Sequence, residues 1–168
     1  MTSARRAVAI DPGTKNLGFA IFDPDGGRIV ACGCSRSDGA RPMDHGQAIH
    51  LATILPIESA HVESMRWRPR DARSQPNDLL DVQTVGLLAA HYSGAWRIET
   101  LEPQEWKRTL PKAIHHTRLV AALEPGETEI LERAVDAAGA NGKEVLDAVG
   151  IALYVSGRID AAGRTMKK

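Results

Sequence analysis

Three short apolar runs, separated by turn-forming residues, open the chain and restrict its fold more than any other feature. The runs cover residues 7–10, 17–22 and 28–34. Asp11-Pro12-Gly13 follows the first run, and Pro24-Asp25-Gly26-Gly27 follows the second. Short apolar segments bounded by such residues are typical of β-strands joined by tight connections. The sequence therefore predicts an antiparallel meander in the first third of the chain.

Helical and strand patterns alternate in the remainder. Helical patterns lie at residues 45–54 and 77–91, resume at Pro103, and end with a last helix at residues 143–157. Strand patterns lie at residues 60–63 and 96–101. This order predicts an α/β fold with a mixed five-stranded sheet flanked by helices. We expect the first three strands to be antiparallel, and the fourth and fifth to run parallel to the first.

Length and composition fit one compact domain. The chain has 168 residues, of which 43% are hydrophobic and 25% charged, and it contains no repeat or interdomain linker. We therefore expect a single domain over residues 1–168, with residues 158–168 as a flexible basic tail.

The N-terminal residues do not resemble a secretory signal. The opening MTSARR leads into a run of only about four apolar residues that ends at Asp11. No apolar run approaches the roughly 18 residues needed to cross a bilayer. We expect a cytoplasmic protein without a membrane partner.

Charge is balanced overall but unevenly distributed. Lys plus Arg and Asp plus Glu both number 21, so net charge gives no reason to expect a polyanionic partner. Two basic clusters nevertheless stand out. The first, the arginine cluster, contains Arg66, Trp67, Arg68, Arg70 and Arg73; the second contains Lys107, Arg108, Lys112 and Arg118. Guanidinium groups bind phosphates in a bidentate manner, so we expect the arginine cluster to contact a nucleic-acid backbone.

Two carboxylates follow predicted strands. Asp11 comes directly after the first strand, and Glu63 closes the strand at residues 60–63. If these strands are parallel neighbours, both carboxylates leave the sheet side by side, and a divalent cation would relieve their repulsion. Two alternatives stay open: Asp11 as a simple turn residue, and Glu63 as a surface residue paired with Arg66 or Arg68.

The last predicted helix carries two further acids. Residues 145–155 are apolar on nearly every side of the helix, which indicates that it is mostly buried. Glu144 and Asp147 are three residues apart and so share one face. A buried carboxylate needs a cation, either a metal or a buried arginine. Stabilisation by the helix dipole is the alternative, and it suits Glu144 better than Asp147.

Together these four acids predict an oxygen-only site suited to two Mg²⁺ or Mn²⁺ ions. Two such ions, about 3.5 to 4 Å apart, can activate a water and stabilise the departing 3′ oxygen of a phosphodiester. The sequence thus predicts hydrolysis without a covalent intermediate.

Four segments resemble the RuvC family of Holliday junction resolvases. AIDPGTKNLGFAIFD (residues 9–23) resembles the family's opening motif, and HVES (61–64) its second acidic strand. LEPQEWK (101–107) is similar to its segment of a proline followed by a basic residue, and EVLDAVGIAL (144–153) to its closing helix. The motifs come in the family's order and cover most of the chain up to about Gly157.

The resemblance implies an RNase H-like fold, a homodimer, and paired nicks across a four-way DNA junction. It places Asp11, Glu63, Glu144 and Asp147 at metal-binding positions. It also places Lys107 and Arg118 near basic positions that support phosphate binding or the transition state, and we expect Lys107 to take part in catalysis and Lys112 and Arg118 to contact DNA.

Two departures separate this chain from the bacterial enzymes and are closer to divergent phage-type relatives. Glu144 stands where an Asp is expected. Arg66 and then Trp67 follow Glu63 where the family has an aromatic residue sooner, and Trp67 is a candidate for stacking on an unpaired base.

Three other functions compete. The opening motif also resembles the YqgF group, which is associated with RNA processing. ATP-dependent sugar kinases and actin-like ATPases share a strand, Asp-turn, strand pattern, but they close two domains around the nucleotide, and no GxGxxG or GxxxxGK[ST] motif is present, so we expect no nucleotide cofactor. A non-catalytic protein that binds branched DNA is the third.

Three histidines and one glycine have simpler interpretations. His115 and His116 lack partners at zinc-like spacing and are interpreted as surface residues. His61 shares the strand face of Glu63 and is a candidate to support it. Gly18 is interpreted as permitting close packing beside Asp11.

Overall fold

The computed structural model describes residues 5–64 and 76–166. Over this part of the chain the strands are β1 (Arg6–Asp11), β2 (Asn16–Phe22), β3 (Ile29–Arg36), β4 (Ile57–Glu63) and β5 (Arg97–Leu101). The helices are α1 (Pro42–Leu51), α2 (Pro76–Tyr92), α3 (Pro103–Trp106), α4 (Lys112–Ala121), α5 (Pro125–Ala138) and α6 (Gly142–Val155). A single 3₁₀ turn, Gly139–Asn141, precedes α6.

The five strands form one mixed sheet in the order β3-β2-β1-β4-β5. β2 is antiparallel to β1 and β3, whereas β4 is parallel to both β1 and β5. The predicted mixed five-stranded sheet, with β4 and β5 parallel to β1, is therefore confirmed. Ile10 pairs with Val62, so Asp11 and Glu63, each one residue further on, reach the same edge of the sheet.

Two apolar cores cover the two faces of the sheet. Ala7 and Ala9 of β1 pack in the core formed with α5 and α6, while Val8 and Ile10 pack in the core beneath α1 and α2. Because successive side chains of a strand point to opposite faces, Asp11 follows Ala7 and Ala9 toward α6. The alternation of side chains along β1 therefore directs the Asp11 carboxylate toward α6.

Glycine lets α6 approach the sheet closely enough to bring its acids to Asp11. Gly18 of β2 pairs with Asp11, and a Cβ built there would lie 2.0 Å from the backbone oxygen of Glu144. The interpretation of Gly18 as a close-packing residue agrees with this contact. On the other side of α6, a Cβ at Gly150 would lie 2.6 Å from the Trp106 ring.

Some boundaries differ from those expected. α1 covers Pro42–Leu51 and not residues 45–54, because Pro42, with its fixed φ, begins the first turn. β3 extends to Arg36, two residues beyond the predicted strand. No helix in the described ranges is long and apolar enough to cross a membrane.

Residues 158–166 are folded against the domain, which differs from the expected flexible tail. Arg158 forms an ion pair of 2.6 Å with Glu127, a carboxylate only 2% exposed, and donates to the backbone oxygens of Gly27 and Ala122. Ile159, which follows, is buried. A buried acid on α5 therefore fixes the segment that composition alone suggested would be loose.

Candidate metal centre

Three carboxylates from two distant parts of the chain converge at the edge of the sheet. Asp11 at the end of β1 and Glu144 and Asp147 in the first turns of α6 each offer one oxygen, and these oxygens lie within 4.8 Å of one another. Asp11 is 7% exposed and Asp147 is 2% exposed. Glu144 is more open, with its side chain 24% exposed. The cluster therefore has two buried carboxylates, Asp11 and Asp147, and one carboxylate, Glu144, that faces solvent.

Glu63 lies beside this cluster but is already bound by other groups. It is 3% exposed and contacts Asp11. Its Oε1 accepts a hydrogen bond from Trp106 Nε1 at 3.0 Å and forms an ion pair with Lys107 Nζ at 2.8 Å. Lys107 thus lies between Glu63 and the rest of the site, 3.7 Å from Asp147 Oδ2.

Asp11 forms no ion pair among the described residues, and the strongest electrostatic effects on it come from other carboxylates. Burial raises the pKa of Asp11 well above its usual value, and the negative charges of Glu63 and Asp147 raise it further. None of the ion pairs among residues 5–64 and 76–166 includes Asp11. A carboxylate that is desolvated and repelled in this way is stable as an anion only beside a cation.

Asp147 has the opposite surroundings. Its Oδ2 lies 2.6 Å from Lys112 Nζ, and its Oδ1 lies 2.8 Å from His116 Nε2. Burial alone would raise the pKa of Asp147, but the hydrogen bond from His116 and the charges of Lys107 and Lys112 outweigh it and hold that pKa well below the usual range. Asp147 is therefore an anion that the protein itself compensates.

These residues fit a hard divalent cation. Carboxylate oxygens are the ligands that Mg²⁺ and Mn²⁺ prefer, and the uncompensated, nine-tenths buried Asp11 faces Glu144 and Asp147. Asp11, Glu144 and Asp147 would hold one ion. A second ion would require Glu63, whose Oε1 is bound by Lys107.

Lys107, predicted to be catalytic, and the residues predicted to bind DNA divide into three groups. Lys107 and Lys112 lie in the site and bind its acids. Arg118 lies elsewhere: its Nη1 donates to the backbone oxygen of Ala162 at 2.7 Å, which ties α4 to the C-terminal segment. The arginine cluster, Arg66, Trp67, Arg68, Arg70 and Arg73, lies outside the described residues.

The structure also gives three histidines positions that differ from their interpretations. His116 contacts Asp147, although it was interpreted as a surface residue. His115 is 2% exposed and packs edge-to-face on Trp106, with ring centroids 5.1 Å apart. His61 Nδ1 lies 3.4 Å from a carboxylate oxygen of Glu99 on β5, so its nearest acidic contact is with that residue and not with Glu63.

A signal for His116 was present in the sequence. Lys112 and His116 are four residues apart on α4, which places them on one helical face. Trp106 gave no comparable signal, because its role depends on a bond to Glu63, 43 residues away.

Comparison with known proteins gives structural neighbours and no sequence match. No family model and no curated protein matches the chain. Among solved structures, RuvC of T. thermophilus in complex with a Holliday junction substrate is 15% identical, covers 91% of this chain and 92% of its own, and has a TM-score of 0.49. A second Thermus thermophilus RuvC structure is 16% identical, covers 90% and 92% of the two chains, and has a TM-score of 0.45.

Proposed function

We propose that this chain is a divalent-metal-dependent endonuclease that cleaves branched DNA, including four-way junctions. The observation that carries the proposal is the convergence of buried Asp11, without a basic partner among the described residues, on Glu144 and Asp147. Desolvation of these acids and the repulsion among them lower the stability of the folded protein. A bound cation would offset that cost.

Asp11, Glu144 and Asp147 would hold the metal, with Glu63 beside them. When bound, divalent ions supply activation of water and stabilisation of the oxygen that leaves the phosphorus. The Lys112 side chain is 56% exposed, so a phosphate oxygen can reach its ammonium group. Lys107, in contrast, is mostly buried and fixes the orientation of the Glu63 carboxylate.

Branched DNA as the substrate rests on the motifs at residues 9–23, 61–64, 101–107 and 144–153, which resemble the RuvC family. We extend the proposal to a homodimer of single nuclease domains, because two symmetric nicks across a four-way junction require two active sites. The arginine cluster would contribute contacts to the DNA backbone.

Cleavage assays with matched substrates test the proposal. Four-way, three-way and linear DNA and a structured RNA are incubated with the protein in Mg²⁺, Mn²⁺ or EDTA. We expect metal-dependent nicking of the branched DNA that Asp11→Asn abolishes. Asp136→Asn, which alters an exposed acid on α5, is the matched control and should cleave normally.

Other outcomes would replace the proposal. Preferential cleavage of the RNA would support the YqgF-like alternative. Junction binding without nicking in either metal would support a non-catalytic binding protein.

A further inference from the structure

A buried histidine on α1 contacts the turn that follows Asp11. This turn, the Asp11 turn, consists of residues 12–15 and joins β1 to β2. His45 is fully buried, and its Nε2 lies 3.1 Å from the backbone oxygen of Thr14. Its Nδ1 lies 2.9 Å from the hydroxyl of Ser35 on β3. One imidazole thus connects a helix, a strand and the turn.

The partners of His45 determine which ring nitrogen carries hydrogen. A backbone carbonyl oxygen only accepts hydrogen bonds, so Nε2 must donate to Thr14. In the neutral ring, Nδ1 then accepts from the Ser35 hydroxyl. Of the two neutral tautomers, only this one satisfies both polar atoms of the buried side chain.

A second hydrogen bond holds the adjacent carbonyl of the same turn. The Ser37 backbone nitrogen donates to the Lys15 oxygen at 2.8 Å. Ser37 is fixed in turn, because its hydroxyl donates to Asp44 at 2.8 Å and accepts from the Arg41 backbone at 2.9 Å. The residues that lead into α1 therefore hold two successive carbonyls of the Asp11 turn.

The Asp11 carboxylate needs such external support. Its side chain has no ion-pair partner among the described residues, and Glu63 and Asp147 repel it. Strand pairing fixes the backbone up to Asp11, which pairs with Gly18, and the chain then leaves the sheet. The hydrogen bond from His45 to the Thr14 backbone oxygen holds the turn shortly after Asp11.

We propose that His45 is a positioning residue of the metal centre, which holds the Asp11 turn through Thr14 and so keeps the Asp11 carboxylate directed at Glu144 and Asp147. The inference rests on the proposed function, because it requires that Asp11 bind a metal. His45 itself contacts neither the metal ligands nor the substrate in this arrangement; it acts through the backbone.

Two substitutions separate the two bonds of His45. His45→Gln places an amide where Nε2 was, so it can still donate to Thr14 but loses Ser35. His45→Asn is shorter and can accept from Ser35, but it cannot reach Thr14. Both variants leave one buried polar bond in place, which makes them a matched pair.

Mn²⁺ binding, measured by calorimetry on the full chain, is the first readout. We expect His45→Asn to weaken Mn²⁺ binding by about tenfold, the usual cost of removing a residue that orients a metal ligand. His45→Gln should remain close to the wild-type affinity. Melting temperatures measured in EDTA report whether the two variants are equally stable.

Each result decides between the inference and its failure. Equal Mn²⁺ affinities for the two variants, or losses that follow melting temperature alone, would overturn it. If the wild-type protein binds no Mn²⁺, the proposed metal centre itself fails, which is a different result. Nitrogen NMR of the wild-type protein keeps the inference testable even if His45→Asn does not fold. It should find Nε2 protonated, and an Nε2 without a proton would contradict the bond to Thr14.

Discussion

Asp11 and Asp147 contribute oxygens to the same cluster, but the protein compensates only one of them. Asp147 is bound by Lys112 and His116, whereas Asp11 has no ion-pair partner among the described residues and its pKa is raised well above its usual value. The cluster is therefore prepared for a cation on the Asp11 side. Several measurable properties depend on this asymmetry.

Replacing Asp11 should stabilise the metal-free protein while abolishing activity. A carboxyl group whose pKa is raised on folding contributes stability below its unfolded pKa and loses that contribution as pH rises through the folded value. At neutral pH in EDTA, Asp11→Asn removes the cost of keeping this buried acid, either as a repelled anion or by taking up a proton. We expect the melting temperature to rise by about 2–4 °C for each kcal/mol relieved in a chain of this size. Calorimetry of Asp11→Asn beside Asp136→Asn tests this, and an unchanged or lower melting temperature would contradict it.

Metal binding should release protons and strengthen as pH rises. Burial and the nearby charges raise the pKa of Asp11, so a proton competes with the metal for its carboxylate. We expect Mn²⁺ affinity to increase as pH rises above the usual pKa of an Asp carboxyl group. Titration calorimetry in buffers of different ionisation enthalpy counts the released protons. An affinity that does not change with pH would show that Asp11 is already ionised without metal.

Lys112 should matter most when no metal is present. Removing a partner from a buried acid is costly, but Lys112 is more than half exposed, so solvent screens part of its contribution. We expect Lys112→Gln to lower the free energy of unfolding by about 1 kcal/mol in EDTA. Saturating Mg²⁺ should reduce the difference, because the ion then neutralises Asp147 as well. Urea unfolding under both conditions measures the change, and an equal loss with and without Mg²⁺ would argue against a shared site.

Gly18 should be intolerant of any side chain. A Cβ there would lie 2.0 Å from the Glu144 backbone oxygen, so α6 would have to move away from Asp11. We expect Gly18→Ala to destabilise the protein by about 1–3 kcal/mol, as overpacking does, and to weaken Mn²⁺ binding. Gly126→Ala is the matched control, because nothing lies within 4 Å of a Cβ at that position. A Gly18→Ala variant that binds Mn²⁺ normally would show that α6 can shift without disturbing the cluster.

The sequence predicted the sheet and much of the cluster because both depend on local patterns. Alternation along β1 and the i, i+3 spacing of Glu144 and Asp147 are visible without a structure. The hydrogen-bond and ion-pair partners of those acids are not visible in the sequence. The i, i+4 spacing places His116 beside Lys112 on α4. It does not reveal that this face meets Asp147 on α6, so His116 was interpreted as a surface residue.

The contacts of the C-terminal segment could not be predicted either, because they join residues far apart in the sequence. Arg158 looked like the start of a basic tail, since composition does not reveal that Glu127, on α5, is buried and needs a positive partner. Arg118, which the sequence predicts to contact DNA, donates to the backbone of that segment. Both arginines thus make long-range contacts that composition does not reveal, an ion pair for Arg158 and a hydrogen bond for Arg118.

The packing of α6 over Gly18 determines when the three acids of the cluster come together. β1, which carries Asp11, is synthesised before α6, which carries Glu144 and Asp147. A nascent chain without α6 holds only one of the three clustered acids, so the proposed metal site is incomplete at that stage. Docking of α6 over Gly18 would therefore be the step that completes the site.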